Sequence, residues 1–146
     1  MRGLIIHEFG PINSHQVEDF SDPVAKTGEL IIDVHTMSLN FPDTLMVQGK
    51  YQMWPDRPFV PGRDAAGIVS AVGRGVTSFK VGDRVSCQVL WGAFADKVCV
   101  PEAKTFKLPD GLDFVSAAAM ITTYNTAHVA VYERGNVKAG ETIFIT

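Results

Sequence analysis

The 146 residues predict a mainly β domain that leads into an α/β start. Three observations predict it. Short apolar, β-branched runs closed by glycine or proline turns fill roughly the first 110 residues. From Asp113 the pattern turns helical as far as Gly135. It then becomes β-rich again over residues 142–146. A shift of that kind marks a boundary between structural units.

Each element follows from its own punctuation. "RGLIIHEF" runs into Gly10-Pro11, and "HQVEDF" ends at Asp22-Pro23. "ELIIDVHTMSL" is the longest strand candidate, with enough polar alternation to be half buried. "FPDTLMVQG" predicts a short helix, with Pro42 tolerated in its first turn and Gly49 ending it. "AAGIVSAVG" is a strand closed by "GRGV". "DRVSCQVL" and "FADKVCV" flank Trp91-Gly92-Ala93 and predict a hairpin, which would bring Cys87 near Cys99. "DFVSAAAMITTYNTAHVAVYERG" predicts two consecutive helices, capped by Asp113, broken near "MITTY" and stopped by Gly135.

Composition narrows the function classes. At 46% hydrophobic and 20% charged the chain is ordinary for one globular domain. A formal net charge of -3 with no basic run argues against nucleic acid as a partner. No segment approaches the roughly 20 apolar residues that cross a bilayer, so no membrane is expected. The opening "MRGLIIHEFG" is not a secretion signal, and two cysteines are too few for a disulfide scaffold, so a cytoplasmic protein with reduced thiols is expected.

The chemical motifs are sparse. Gly73-Arg74-Gly75 lacks the third glycine and the following helix of a dinucleotide fingerprint. The strand that would suit such a fingerprint is "TIFIT", at the end of the sequence. His7, His15, His35 and His128 are scattered, and the cysteines form no C-x-x-C pair, so no metal is expected. "NFPD" and "PGRDAAG" bring an amide, two carboxylates and an arginine into one short region. By spacing alone, Arg63-Asp64 reads as an ion pair and Tyr51 as an aromatic at a rim.

In that order, "LNFPDTLMVQGKY", "PFVPGRDAAGIVSAVGRGVTSFKVGDRV", "FADKVCVP", "KLPDGLDFVSAAAM" and "VKAGETIFIT" carry a resemblance over essentially the whole chain. It resembles the medium-chain dehydrogenase/reductase superfamily, in its zinc-free quinone oxidoreductase (ζ-crystallin-like) branch. The resemblance implies a GroES-like distorted β-barrel over residues 1–120. Residues 121–146 would be an interdomain helix and the first strand of a truncated Rossmann domain. Zinc-dependent members place a cysteine where this chain has Asn40, and Gly-His-Glu where it has Gly62-Arg63-Asp64. Their structural-zinc lobe has no room in "CQVLWGAFADKV".

Zinc-free chemistry suits a quinone or an α,β-unsaturated carbonyl, because charge from the hydride spreads onto a conjugated oxygen that hydrogen-bond donors can stabilise. The implied cofactor is NADPH, with NADH not excluded. The resemblance places Asn40, Asp43 and Tyr51 as catalytic residues, Tyr51 donating to the substrate oxygen. Asn40, Phe41 and Thr123 would face the nicotinamide, and Arg63 with Asp64 would hold the emptied metal site by charge pairing. The chain would be the N-terminal fragment of a homodimeric or homotetrameric parent. Alone it would be inactive and prone to self-association. The competing expectation is a stand-alone GroES-like binding or structural module, against which the helical tail argues.

Overall fold

A computed structural model describes residues 1–145. The strands are β1 (Arg2–Ile5), β2 (Gln16–Asp19), β3 (Glu29–Ser38), β4 (Asp64–Val72), β5 (Arg84–Gln88), β6 (Lys97–Pro101) and β7 (Thr105–Lys107). β3 to β7 form one antiparallel sheet in the order β6-β3-β4-β5-β7, and β1 with β2 form a separate two-stranded ribbon. Single bridges, Gly3 to Ala95 and Ile6 to Phe59, tie the ribbon to the loops beside the sheet. The mainly β architecture expected from the sequence is the one observed.

Alternation along β4 explains how the layers stack. Successive side chains of a strand point to opposite faces. Ala65 and Val69 therefore join Leu30, Ile32, Val85, Cys87, Val98 and Val100 in the main core, while Ala66 lies on the other face. There it meets Ala117 and Ala118, so three small residues let a helix approach the sheet closely. Bulges interrupt the β3–β4 pairing between Ile31 and Ile32 and between Val34 and Thr36. Gly67 faces the second bulge, where an added Cβ would lie 1.9 Å from the Asp33 carbonyl oxygen.

The short helix α1 (Phe41–Val47) forms where Pro42 and Gly49 predict it. Met46 and Val47 seat it against Ile6 and Phe59. From Phe114 to Arg134 the chain is helical without a gap: α2 (Phe114–Ala119), a π segment (Met120–Tyr124), α3 (Asn125–His128) and a second π segment (Val129–Arg134). Asp113 caps it as expected, its Oδ1 accepting from the Ser116 N–H at 2.8 Å. The break expected near "MITTY" is a widened turn instead. Thr123 and Thr126 donate their hydroxyls to the carbonyls of Ala119 and Thr122, competing with the backbone for the same acceptors. The helix ends at Gly135, but Asn136 rather than the glycine takes the left-handed conformation, with φ 49°.

Two expectations need correction. The hairpin around Trp91 does not form: β5 pairs with β4 and β7, and β6 with β3. Eight residues, 89–96, carry the chain across instead of turning it back, which separates Cys87 from Cys99 by two strands; both are free thiols. The strand expected over residues 142–146 is not paired at 142–145, since no neighbouring strand is there to receive it, and Thr146 lies outside the described residues. The helix and this tail leave Val115, Tyr124, Tyr132 and Phe144 well exposed. No helix among the described residues is long and apolar enough to cross a membrane.

Candidate active site

Register builds the site. Ser38, at the end of β3, pairs with Asp64 at the start of β4, and Asp64 also pairs with Gln88 at the end of β5. Two residues after Ser38, Asn40 opens α1 in an extended conformation. Its backbone N–H, free at a helix start, donates to Asp43 Oδ2 at 2.8 Å. Asn40 Nδ2 donates to Asp64 Oδ2 at 3.0 Å and to Ser38 Oγ at 3.2 Å, and Ser38 Oγ donates to the same carboxylate oxygen at 3.1 Å. The carboxylate accepts only, so the amide must present its nitrogen to it. Both Nδ2 hydrogens are then used inside the protein.

Burial makes this cluster electrostatically tense. Asp64 is 0% and Asp43 2% exposed. Asp43 Oδ1, Asp64 Oδ1 and Arg63 Nε are buried without a protein partner. Burial pushes the Asp43 carboxyl above the usual carboxylate range. The hydrogen bond from the Asn40 backbone opposes that shift, neighbouring Asp64 adds to it, and Arg63 counters it.

Arg63 and Asp64 do not pair, contrary to the expectation from spacing: no ion pair between them exists among the described residues. Adjacent residues in an extended chain project in opposite directions. Asp64 turns to Asn40, and Arg63 turns to Tyr51, donating Nη1 to the phenolic oxygen at 3.2 Å. Asn40, Asp43, Tyr51 and Arg63 are thus gathered around the start of α1 and β4. Phe41, the first helical residue, is 73% exposed. Thr123 is exposed, with its hydroxyl spent on its own helix. Its neighbour Thr122 is the one turned towards the sheet, its Oγ1 3.4 Å from Gln88 Nε2. Sequence reasoning singled out neither Gln88 nor Thr122. The pairing of Gln88 with Asp64 was the missing signal, and it exists only once the strands are in register.

The donor set of this site is amide, hydroxyl and carboxylate, without thiolate or imidazole. Among the described residues no three His, Cys, Asp or Glu side chains gather as metal ligands would. The cysteines lie elsewhere, and burial pushes the Cys87 thiol up to about 12 and the Cys99 thiol up to about 11.

Residues 26–110 match the alcohol dehydrogenase GroES-like domain. The chain is 35% identical to the human synaptic vesicle membrane protein VAT-1 homolog-like, over 99% of this chain and 35% of that protein. It is 37% identical to the quinone oxidoreductase of Sus scrofa, over 99% of this chain and 45% of that one. The crystal structure of the human VAT-1 homolog-like protein superimposes with a TM-score of 0.92 at 36% identity, covering 96% of this chain and 45% of that structure. The Escherichia coli quinone oxidoreductase complexed with NADPH does so with a TM-score of 0.83 at 28% identity, covering 92% of this chain and 41% of the other. The chain therefore spans less than half the length of these relatives.

Proposed function

Because the chain belongs to the medium-chain dehydrogenase/reductase superfamily, in its zinc-free quinone oxidoreductase branch, we propose that it is the catalytic part of an NADPH-dependent reductase of quinones or α,β-unsaturated carbonyls. The observation that carries this reading is the pair of clusters at the start of β4, with Ser38 and Asn40 bonded to Asp64 and the Tyr51 hydroxyl bonded to Arg63. The first cluster satisfies its own donors and offers no soft ligand to zinc. For NADPH, the exposed Phe41 offers a flat apolar wall. Asn40, Phe41 and, from the helix, Thr123 would hold the nicotinamide end. The cofactor, when bound, supplies the hydride.

The protein's own part is to orient and to donate. Tyr51 donates its hydroxyl to the substrate oxygen as charge builds there, the interaction that counts most in the transition state. Asp43, too buried to touch a substrate, acts by fixing the Asn40 backbone. Residues 1–120 form the catalytic domain and residues 121–146 the entry to a cofactor domain. The complete protein is a cytoplasmic homo-oligomer.

Tyr51→Phe in the complete enzyme tests the reading. Loss of one such donor costs on the order of 10²-fold in turnover, or about 3 kcal/mol, for an enone. The loss is smaller for a quinone, which accepts electrons more readily. Affinity for NADPH stays nearly unchanged. Values of kcat/KM within about twofold of the parent for both substrates would leave Tyr51 a wall residue.

A further inference from the structure

We propose that Arg63 is a positioning residue of this site, fixing the Tyr51 hydroxyl as a donor towards the substrate; the inference rests on the role proposed above for Tyr51. Arg63 Nη1 donates to Tyr51 Oη at 3.2 Å. A guanidinium has five donors and no acceptor, so the phenolic oxygen can only accept from it. The hydroxyl hydrogen is thereby turned away from Arg63. A carboxylate in the same place would have consumed that hydrogen.

Three features hold Arg63 to this task. It has no competing ion pair among the described residues, because Asp64 is bound to Asn40 and Ser38 instead. Its backbone carbonyl accepts from the Val89 N–H at 2.8 Å, which anchors the residue to the strand end. The preceding Gly62 has φ +90°, and a Cβ there would lie 2.3 Å from the Phe94 ring, so the direction in which the chain enters Arg63 is set. The positive charge of the guanidinium lies beside the oxygen through which Tyr51 would stabilise developing negative charge.

The test is a double-mutant cycle on the complete enzyme with an enone and NADPH, using Arg63→Met, Arg63→Lys, Tyr51→Phe and Arg63→Met/Tyr51→Phe. Arg63→Met is expected to lower kcat about tenfold with a smaller change in KM, the signature of a lost transition-state donor. The same substitution should cost almost nothing in the Tyr51→Phe background. Arg63→Lys, which can still donate to the phenol, should recover part of the loss. A second readout needs no turnover. The NMR resonance of Tyr51 labelled with 13C at Cζ, assigned through Tyr51→Phe, should move in Arg63→Met and return towards its place in Arg63→Lys. A costly Tyr51→Phe with a costless or additive Arg63→Met would overturn this proposal alone. An unmoved Cζ resonance would overturn it as well. A costless Tyr51→Phe would instead bring down the role of Tyr51 itself.

Discussion

At the scale of single residues, Asp43 shows how one carboxylate shapes both stability and site. Its Oδ2 is tied to Asn40, whereas its Oδ1 is buried without a partner, and burial raises its pKa. With the folded value above the unfolded one, the native state binds the proton more tightly. The contribution of Asp43 is then full at low pH. It declines as pH rises from about 4, the ordinary carboxylate value, through the raised folded value. Asp43→Asn removes that term. The stability cost of the substitution, read from urea denaturation, should therefore shrink between pH 4.5 and pH 7.5. A cost that grows over this interval would mean that the buried carboxylate is held charged and paired. The sequence indicated Asn40, Asp43, Tyr51 and Arg63 as neighbours but not how they connect. The spacing suggested an Arg63–Asp64 pair, and the extended backbone sends the two side chains to opposite partners. Where the backbone is extended, adjacency itself argues against a pair, because successive side chains take opposite sides.

At the scale of elements, strands and caps were legible because their signals are local. Pro42 and Gly49 mark α1, and Asp113 marks the long helix. The pairing of β5 with β4 and β7 was not legible, since it depends on a strand distant in sequence, and the supposed hairpin at Trp91 followed from proximity alone. The helix that widens at "MITTY" rather than breaking shows threonine hydroxyls altering a helix without ending it. Gly67 tests the account of how the sheet is drawn together. It lies opposite Val34, beside the bulge, with the Asp33 carbonyl oxygen 1.9 Å from where a Cβ would stand. Because that neighbour is backbone, it cannot rotate away. Gly67→Ala should therefore destabilise the domain by about 3 kcal/mol, at the upper end for overpacking. A thermal midpoint within a degree or two of the parent would show that β3 and β4 can separate locally at no cost.

At the scale of the whole molecule, the main core lies on one face of the sheet and the long helix on the other. The start of α1 meets the start of β4 at the rim. Val115, Tyr124 and Tyr132 stay exposed along the helix as an apolar flank. The hydrogen bonds among Ser38, Asn40 and Asp64 hold the start of α1 to the start of β4. The proposal most in need of a test is that the complete protein reduces a quinone or an α,β-unsaturated carbonyl without a metal, by donation from Tyr51. The most direct measurement is NADPH oxidation by the complete enzyme with a quinone, before and after exhaustive chelation, alongside elemental analysis of the same sample. An unchanged rate with a negligible zinc content is the predicted result. About one tightly held zinc per chain, with the rate lost on its removal and restored on its return, would contradict it.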